Sequence, residues 1–486
     1  MNSYLDKISK NPVFLSICGV SLIFLLVSFS LGQTSRWDLL EHIQMADRFE
    51  IMKSIYPNYN DETLTGVSVY FPGLTFIAVL LKKIFQDNCL IITMQFLACS
   101  FIVIFFFLQH YISKSFIENL TFSFYFWTSS IAIVYLNIEW LIYASEFKPD
   151  TIAYCVGSLG IILSGIDKQI KKSKFLFVFG IFLTGSGIIF KQQYIFFLLG
   201  MIIFAVFKKD ITTRIFVFFS VLVSVFIILM IRFDYNTWCW TVTVLKDDGL
   251  IPFKTWIIDQ KGIFLRYFRY ALILFLFWIL KLLYLPKGIL FFISSKIKNN
   301  IWLLIMIFVS LGSFFSSFKV GGNAGNTAFG LIIVLPFFLY FIQFLEIKFL
   351  SIFLCLFIIF KVPRLIFQGS KRYLDSIELS DMSKYIVKSK NIKILTGSDT
   401  YSATRCVRDS NIIVNYWSYS LRENSDVSNQ LKIIANNSNF DYLIIENWAS
   451  NREFLRKSKK FEILFINNIG IIAKSSHNKK EKMFYK

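Results

Sequence analysis

The chain has 486 residues, 55% hydrophobic and 18% aromatic, with 57 phenylalanines and a mean hydropathy of +0.58. A soluble core of this size has no use for so much apolar surface, which excludes a water-soluble globular protein and points to a polytopic membrane protein. The net charge of +20 would suggest nucleic acid in a soluble protein, but lysines of inner loops facing anionic lipid account for much of it, and no basic stretch with interleaved aromatics forms a nucleic-acid site.

The first apolar run, 13–32, is too long for the core of a cleaved signal peptide and no small-residue cleavage site follows it, so it reads as a retained anchor. Further runs at 68–85, 88–109, 119–138, 150–166, 173–190, 194–207, 214–232, 263–285, 301–318, 327–344 and 348–362 are candidates to cross the ~30 Å of hydrocarbon as helices. Lysines orient them. Lys7 and Lys10 precede the first run, Lys82 and Lys83 close the second, and Lys168, Lys171, Lys172 and Lys174 follow the fifth. Lys208, Lys209 and Arg214, then Lys287, Lys296 and Lys298, mark further inner loops. The N-terminus is therefore expected in the cytoplasm, with 33–67, 319–326 and the chain beyond about 363 outside. Opposite sides demand an odd number of crossings. One of the twelve runs must fail between 68 and 149, with 88–109 and 119–138 as suspects, leaving about eleven transmembrane helices.

The first outer loop holds Arg36-Trp37-Asp38-Leu39-Leu40-Glu41-His42. On a helix Asp38 and His42, four apart, share a face and Glu41 lies one position round. A carboxylate at the membrane surface beside a cation can act as a base towards a hydroxyl while the cation takes phosphate charge. The bland alternative is a solvated loop with ordinary charges. Further on, Lys148-Pro149-Asp150 opens a span at the outer surface, where Pro149 suits a first-turn position and Asp150 complements the helix dipole, a structural role that alone would explain it.

Lys191-Gln192-Gln193 interrupts a long apolar stretch on the outer side. It is either a snorkelling anchor or a site for a lipid-linked phosphate. Gly321-Gly322-Asn323-Ala324-Gly325-Asn326, after Lys319, is an outer turn rich in amides and open to close backbone approach. Of the seven cysteines, Cys18, Cys89, Cys99, Cys155 and Cys355 fall in apolar runs, and with three histidines no cluster has zinc-ligand spacing. After about residue 366 short β-branched runs, Ile392–Leu395, Ile412–Asn415, Tyr442–Glu446 and Ile463–Ile466 with Ile469–Ala473, alternate with polar stretches and predict a small outer α/β domain, a lid or acceptor platform. Gly397-Ser398-Asp399 after the first of them is too little for a phosphate loop.

The order Trp37-Asp38-x3-His42, Tyr70-Phe71-Pro72-Gly73, Lys148-Pro149-Asp150, Phe190-Lys191-Gln192-Gln193, a Gly/Asn-rich turn and an outer tail resembles the GT-C superfamily of integral-membrane glycosyltransferases, which includes protein O-mannosyltransferases and the lipid A aminoarabinose transferase. The resemblance covers the membrane half, and the order and sidedness of the motifs carry it. It implies an all-α polytopic module over 1–366, GT-C-like, with a small extracytoplasmic α/β domain over 367–486, in the plasma (inner) membrane. It also implies transfer of a sugar from a polyprenyl-phosphate donor to a hydroxyl of a cell-envelope glycan, lipid or protein. The family's first-loop acid maps to Asp38 and a second outer acid to Asp150. Arg36, Glu41, His42, Lys191, Gln192, Lys319 and Asn323 become candidate substrate contacts, with Lys191 and Arg36 or Lys319 neutralising the departing phosphate. Many members pair two acids in the first loop. Here Leu39 follows Asp38, which leaves Glu41 or Asp47 as stand-ins and a divalent ion, Mg or Mn, as an optional helper with no ligand set nominated.

Two other classes stay open. An O-antigen polymerase or ligase would carry its key charges as arginines in a long late loop, whereas 233–262 holds Asp234, Lys246, Asp247, Asp248 and Lys254. A lipid or glycan transporter would need ionisable residues near the bilayer midplane, which these runs lack away from their edges.

Overall fold

The computed structural model describes residues 42–43, 45–46, 48–50, 54–56, 72–85, 87–115, 140, 144, 148–168, 173–208, 236, 239, 265, 268, 300–316, 324–336, 367, 374, 377–379, 381–386, 392–397, 412–415 and 440–476. The chain divides into two compact units, one of Met1–Val27, Phe96–Ile231 and Gly249–Phe367, the other of Ser28–Gln95, Arg232–Asp248 and Gln368–Lys486. Seven of the twelve apolar runs overlap described helices: α1 (Gly73–Lys82), α2 (Asp87–Lys114), α3 (Pro149–Ser164), α4 (Lys174–Ser186), α5 (Ile195–Phe207), α6 (Ile301–Ser316) and α7 (Ala324–Ile333). The runs at 13–32, 119–138, 214–232 and 348–362 lie outside the described residues, and of 263–285 only 265 and 268 are described.

Among the described residues one helix segment, Thr93–Lys114 within α2, is long and apolar enough to cross a membrane, with 22 residues and a mean hydropathy of 1.9. The other apolar helices run to 10–17 residues. A ten-residue α1 rises about 15 Å, half the hydrocarbon thickness. α2, one of the two runs suspected of not crossing, is a continuous helix of 28 residues.

The first unit is built on close helix contacts. α3 begins after Lys148, extended at ψ 141° as a residue before proline must be, and has Pro149 in its first turn and Asp150 beside it. It stops at Gly165, whose φ of 75° is left-handed and whose N–H donates to the carbonyls of Ile161 and Ile162. After the turn, Ser173 caps α4 by accepting from the Leu176 N–H at 3.3 Å. α3 and α4 then pack backbone to backbone: a Cβ on Gly160 would strike the Gly180 carbonyl and Thr184, and one on Gly180 would strike Gly160 and Ser164. Small residues permit this approach where water supplies no drive for helices to associate. On the other side of α3 a buried aromatic set joins it to α2, with the Phe105 ring 4.8 Å from Trp140 and 5.6 Å from Tyr154, and Gln109 Nε2 donating to Tyr154 Oη at 3.2 Å.

The second unit contains a five-stranded mixed sheet, β1 (Lys393–Thr396), β2 (Ile412–Asn415), β3 (Tyr442–Glu446), β4 (Phe461–Ile466) and β5 (Gly470–Ser475), in the order β2-β1-β3-β5-β4. β2, β1 and β3 are parallel; β5 runs antiparallel to β3 and to β4. The five strands fall on the β-branched runs read from the sequence. A helix α8 (Ala449–Lys457) follows β3 and buries Phe454 and Leu455. The same core takes in Met45, Ile55 and Tyr56 of the first-loop segment, packed with Leu395, Leu443, Ile445, Phe461 and Ile471, and Phe49 and Phe76 lie against it. The sheet and the segment after the first apolar run are therefore one folding unit, although more than three hundred residues separate them in sequence.

Candidate functional site

The helical path breaks between α4 and α5. Gly187–Ile189 forms a short 3₁₀ turn, Lys191 is extended at φ −153° and ψ 134°, and a second 3₁₀ turn, Gln192–Tyr194, leads into α5. An interruption of this kind frees backbone polar atoms, and neighbouring groups must hold it in place. Tyr194 is the holding piece. Its ring lies where a side chain on Gly157 or Gly187 would have to go, and its hydroxyl donates to the Thr184 carbonyl at 2.8 Å. Phe197 stacks on it with ring centroids 4.8 Å apart.

Lys191 is thereby turned inward. The residue is 2% exposed, its Nζ donates to Asp150 Oδ1 at 2.6 Å and to Asn326 Oδ1 at 3.2 Å. Asp150 lies in the first turn of α3, and Asn326 near the described start of α7. A lysine charge so deeply placed is costly unless matched, and the Asp150 carboxylate matches it. The cluster borders a small cavity of about 20 Å³ whose polar wall comes from Asp150, Lys191, Gln193 and Ser313 and whose apolar wall comes from Ala153, Tyr154, Tyr194, Phe197, Val309 and Phe329. A charged, hydrogen-bonded cluster beside an aromatic cavity can receive an ionic head group attached to an apolar tail.

Of the residues nominated from the sequence, the structure brings Asp150 and Lys191 together. Gln192 opens the 3₁₀ turn, while its neighbour Gln193 is the glutamine on the cavity wall. Asn326 closes the same Gly/Asn-rich turn from which Asn323 was nominated. His42 is 3% exposed, with Nδ1 3.0 Å from Thr75 Oγ1 of α1, so it ties the first-loop segment to that helix. Arg36, Asp38, Glu41, Lys319 and Asn323 lie outside the described residues. Sequence reasoning passed over Tyr154, Tyr194, Phe197 and Phe329, because aromatics are common everywhere in this chain. The glycines opposite Tyr194 were the available signal. Among the described residues no group of three or more His, Cys, Asp or Glu is placed to hold a metal ion.

The glycine seat leads to a prediction. Gly157→Ala places a methyl group against the Tyr194 hydroxyl, and Gly187 blocks retreat on the other side, so the turn carrying Lys191 must shift. Displacements of about 1 Å in a positioning element cost roughly 10²-fold in rate. Gly157→Ala should therefore lose turnover while expression stays near normal, measured against Gly185→Ala in the same assay.

No protein-family model matches the chain, and no curated protein matches it in sequence. Solved structures do match. ArnT from Cupriavidus metallidurans bound to undecaprenyl phosphate superposes with a TM-score of 0.56 at 9% identity, over 96% of this chain and 98% of that one. The apo form of the same enzyme gives 0.48 at 12% identity over 94% and 98%, and an Archaeoglobus fulgidus oligosaccharyltransferase gives 0.45 at 10% over 87% and 68%. At these identities the likeness is one of fold: over nearly its whole length the chain is built like ArnT, a GT-C membrane glycosyltransferase.

Proposed function

We propose that this protein is a membrane glycosyltransferase that moves a sugar from a polyprenyl-phosphate donor to an acceptor hydroxyl on a cell-envelope glycan, lipid or protein at the outer face of the membrane. The observation that carries the reading is the buried Lys191–Asp150–Asn326 cluster at an aromatic cavity, in a fold like that of an enzyme bound to undecaprenyl phosphate. A polyprenyl-linked sugar cannot leave the bilayer, so its phosphate must be met by protein charge at the membrane surface.

In this reading the acceptor oxygen attacks the anomeric carbon, the bond from that carbon to the phosphate oxygen breaks, and the phosphate leaves with the electron pair. The acceptor proton passes to Asp38. Lys191 neutralises the leaving phosphate, assisted by Arg36 or Lys319, and Asp150 with Asn326 keeps Lys191 aimed. Gln192, Asn323, Glu41 and His42 remain candidates for sugar or acceptor contacts, and a divalent ion is an optional helper.

The short α1 supports a topology. If 68–85 does not cross the membrane, Lys82 and Lys83 cease to mark an inner loop, eleven crossings remain, the N-terminus is cytoplasmic, and 33–87, Asp150, Lys191 and the C-terminal sheet all face outward.

Undecaprenyl phosphate added to the purified protein should raise the melting temperature of the wild type, since a ligand of the folded state stabilises it by mass action. Farnesol, which shares the isoprenoid chemistry without the phosphate, should have a much smaller effect. Equal shifts by both compounds would remove the phosphate site from the proposal.

A further inference from the structure

The acid assigned as the base belongs to a segment whose described part is fixed from two sides. His42 follows Asp38 by four residues in sequence, and its Nδ1 lies 3.0 Å from the hydroxyl of Thr75, a fully buried residue of α1. The same hydroxyl donates to Met45 Sδ at 3.8 Å. Sulfur only accepts, so a hydroxyl that gives its proton to Met45 receives the Nδ1–H of His42. One oxygen of α1 thus ties two successive turns of the first-loop helix, whose described residues between 42 and 50 are helical.

Met45 then enters the core beneath the sheet, beside Tyr56, Leu443 and Ile471. Further along the segment, Phe49 meets Phe76 of α1 edge to face with ring centroids 6.1 Å apart, and Glu50 Oε2 lies 2.9 Å from Nζ of Lys82, the last residue of α1. An apolar pair in place of His42 and Thr75 would pack the contact without desolvating an imidazole and a hydroxyl. What the polar pair adds is a fixed distance and direction.

We propose that Thr75 is a positioning residue: with Nδ1 of His42 it locks the first-loop helix onto α1, and the core beneath the sheet is the platform that holds the loop bearing Asp38, an assignment that rests on Asp38 being the base in the reading above. The C-terminal sheet then serves the reaction by carrying the base, at a distance of more than three hundred residues in sequence.

The test is hydrogen–deuterium exchange of the full-length protein in nanodiscs, read by mass spectrometry and followed by transfer kinetics. Thr75→Val keeps the shape and removes the hydroxyl, and it should speed amide exchange across 38–46 about tenfold or more while β3 and β5 stay as protected as in the wild type. Thr75→Ser should restore the protection. In His42→Asn the amide takes the place of ring Nδ1, and in His42→Gln that of Nε2, so the first should keep most of the protection and the second should lose it. In transfer, Thr75→Val should lower kcat about tenfold or more with KM for the lipid donor within about twofold, and Thr75→Ser should recover most of the loss. Exchange needs no donor, so a wild type that transfers no sugar would remove the reading of Asp38 and leave the lock to be decided by exchange. Wild-type exchange in Thr75→Val, equal protection in His42→Asn and His42→Gln, opening that spreads to β3 and β5, or wild-type kcat in Thr75→Val with a loosened loop would each overturn the proposal.

Discussion

Lys191→Ala should lower transfer from a polyprenyl-phosphate donor by about 10²–10³-fold, the usual cost of removing one preorganised group that stabilises developing negative charge. The side chain is 3% exposed and bonded to Asp150 and Asn326, so it is fixed before substrate arrives. The single substitution also strands the Asp150 carboxylate, which is 15% exposed, and stability should fall by a few kcal/mol. A second variant separates the two effects. Replacing a buried ion pair by neutral residues of similar volume is often harmless to folding, so Lys191→Met with Asp150→Asn should regain most of the lost stability yet stay inactive. If the bridge served folding alone, the double variant would regain activity together with stability. Lys191→Arg should keep part of the function, since it restores the charge while changing the shape of the donor.

Asp38→Asn should reduce turnover by roughly 10²-fold or more while donor binding survives, because the amide keeps the size of the side chain and loses the capacity to take a proton. The matching variant at the second acid behaves differently. Asp150→Asn removes the counter-charge of a buried lysine, so it should weaken donor binding and stability together. The two acids are thus distinguished by which quantity moves. A loss confined to the rate of the chemical step marks the base, and a loss shared by binding and folding marks the positioning residue. Well-folded Asp38→Asn protein with near-normal transfer would remove Asp38 from the mechanism.

Much of the architecture was legible in the sequence because membrane and sheet both impose simple patterns. Long apolar runs gave α2 and the helices of the first unit, and β-branched runs gave all five strands to within one or two residues of their ends. The run at 68–85 carries a described helix of ten residues, α1. Hydropathy measures transfer out of water and does not distinguish lipid from a protein core, and α1 places Phe76 against the core beneath the sheet. The parity conflict left by the lysine count lies between 68 and 149, where α2, over one of the two suspected runs, is a continuous helix of 28 residues.

The site was half legible. Lys191 and Asp150 stood out as charges at helix ends, where burial is costly and a function is the usual explanation. Their pairing was not readable, since 41 residues separate them and nothing local encodes a long-range contact. A lysine partner in the late turn is Asn326, which the sequence did not single out, because turn chemistry marks a segment without saying which amide points inward. The strand order β2-β1-β3-β5-β4 was likewise hidden, as strand runs do not state their pairing.

The most direct measurement is the release of polyprenyl phosphate by the purified protein, in nanodiscs with envelope extract as acceptor, from polyprenyl-phosphate donors carrying a radiolabelled sugar. The expected result is one polyprenyl phosphate released for each labelled sugar appearing in the acceptor, abolished in Lys191→Met with Asp150→Asn at undiminished protein stability. Transfer that continues in that folded double variant, or movement of the intact lipid-linked sugar without cleavage of its phosphate bond, would contradict the account.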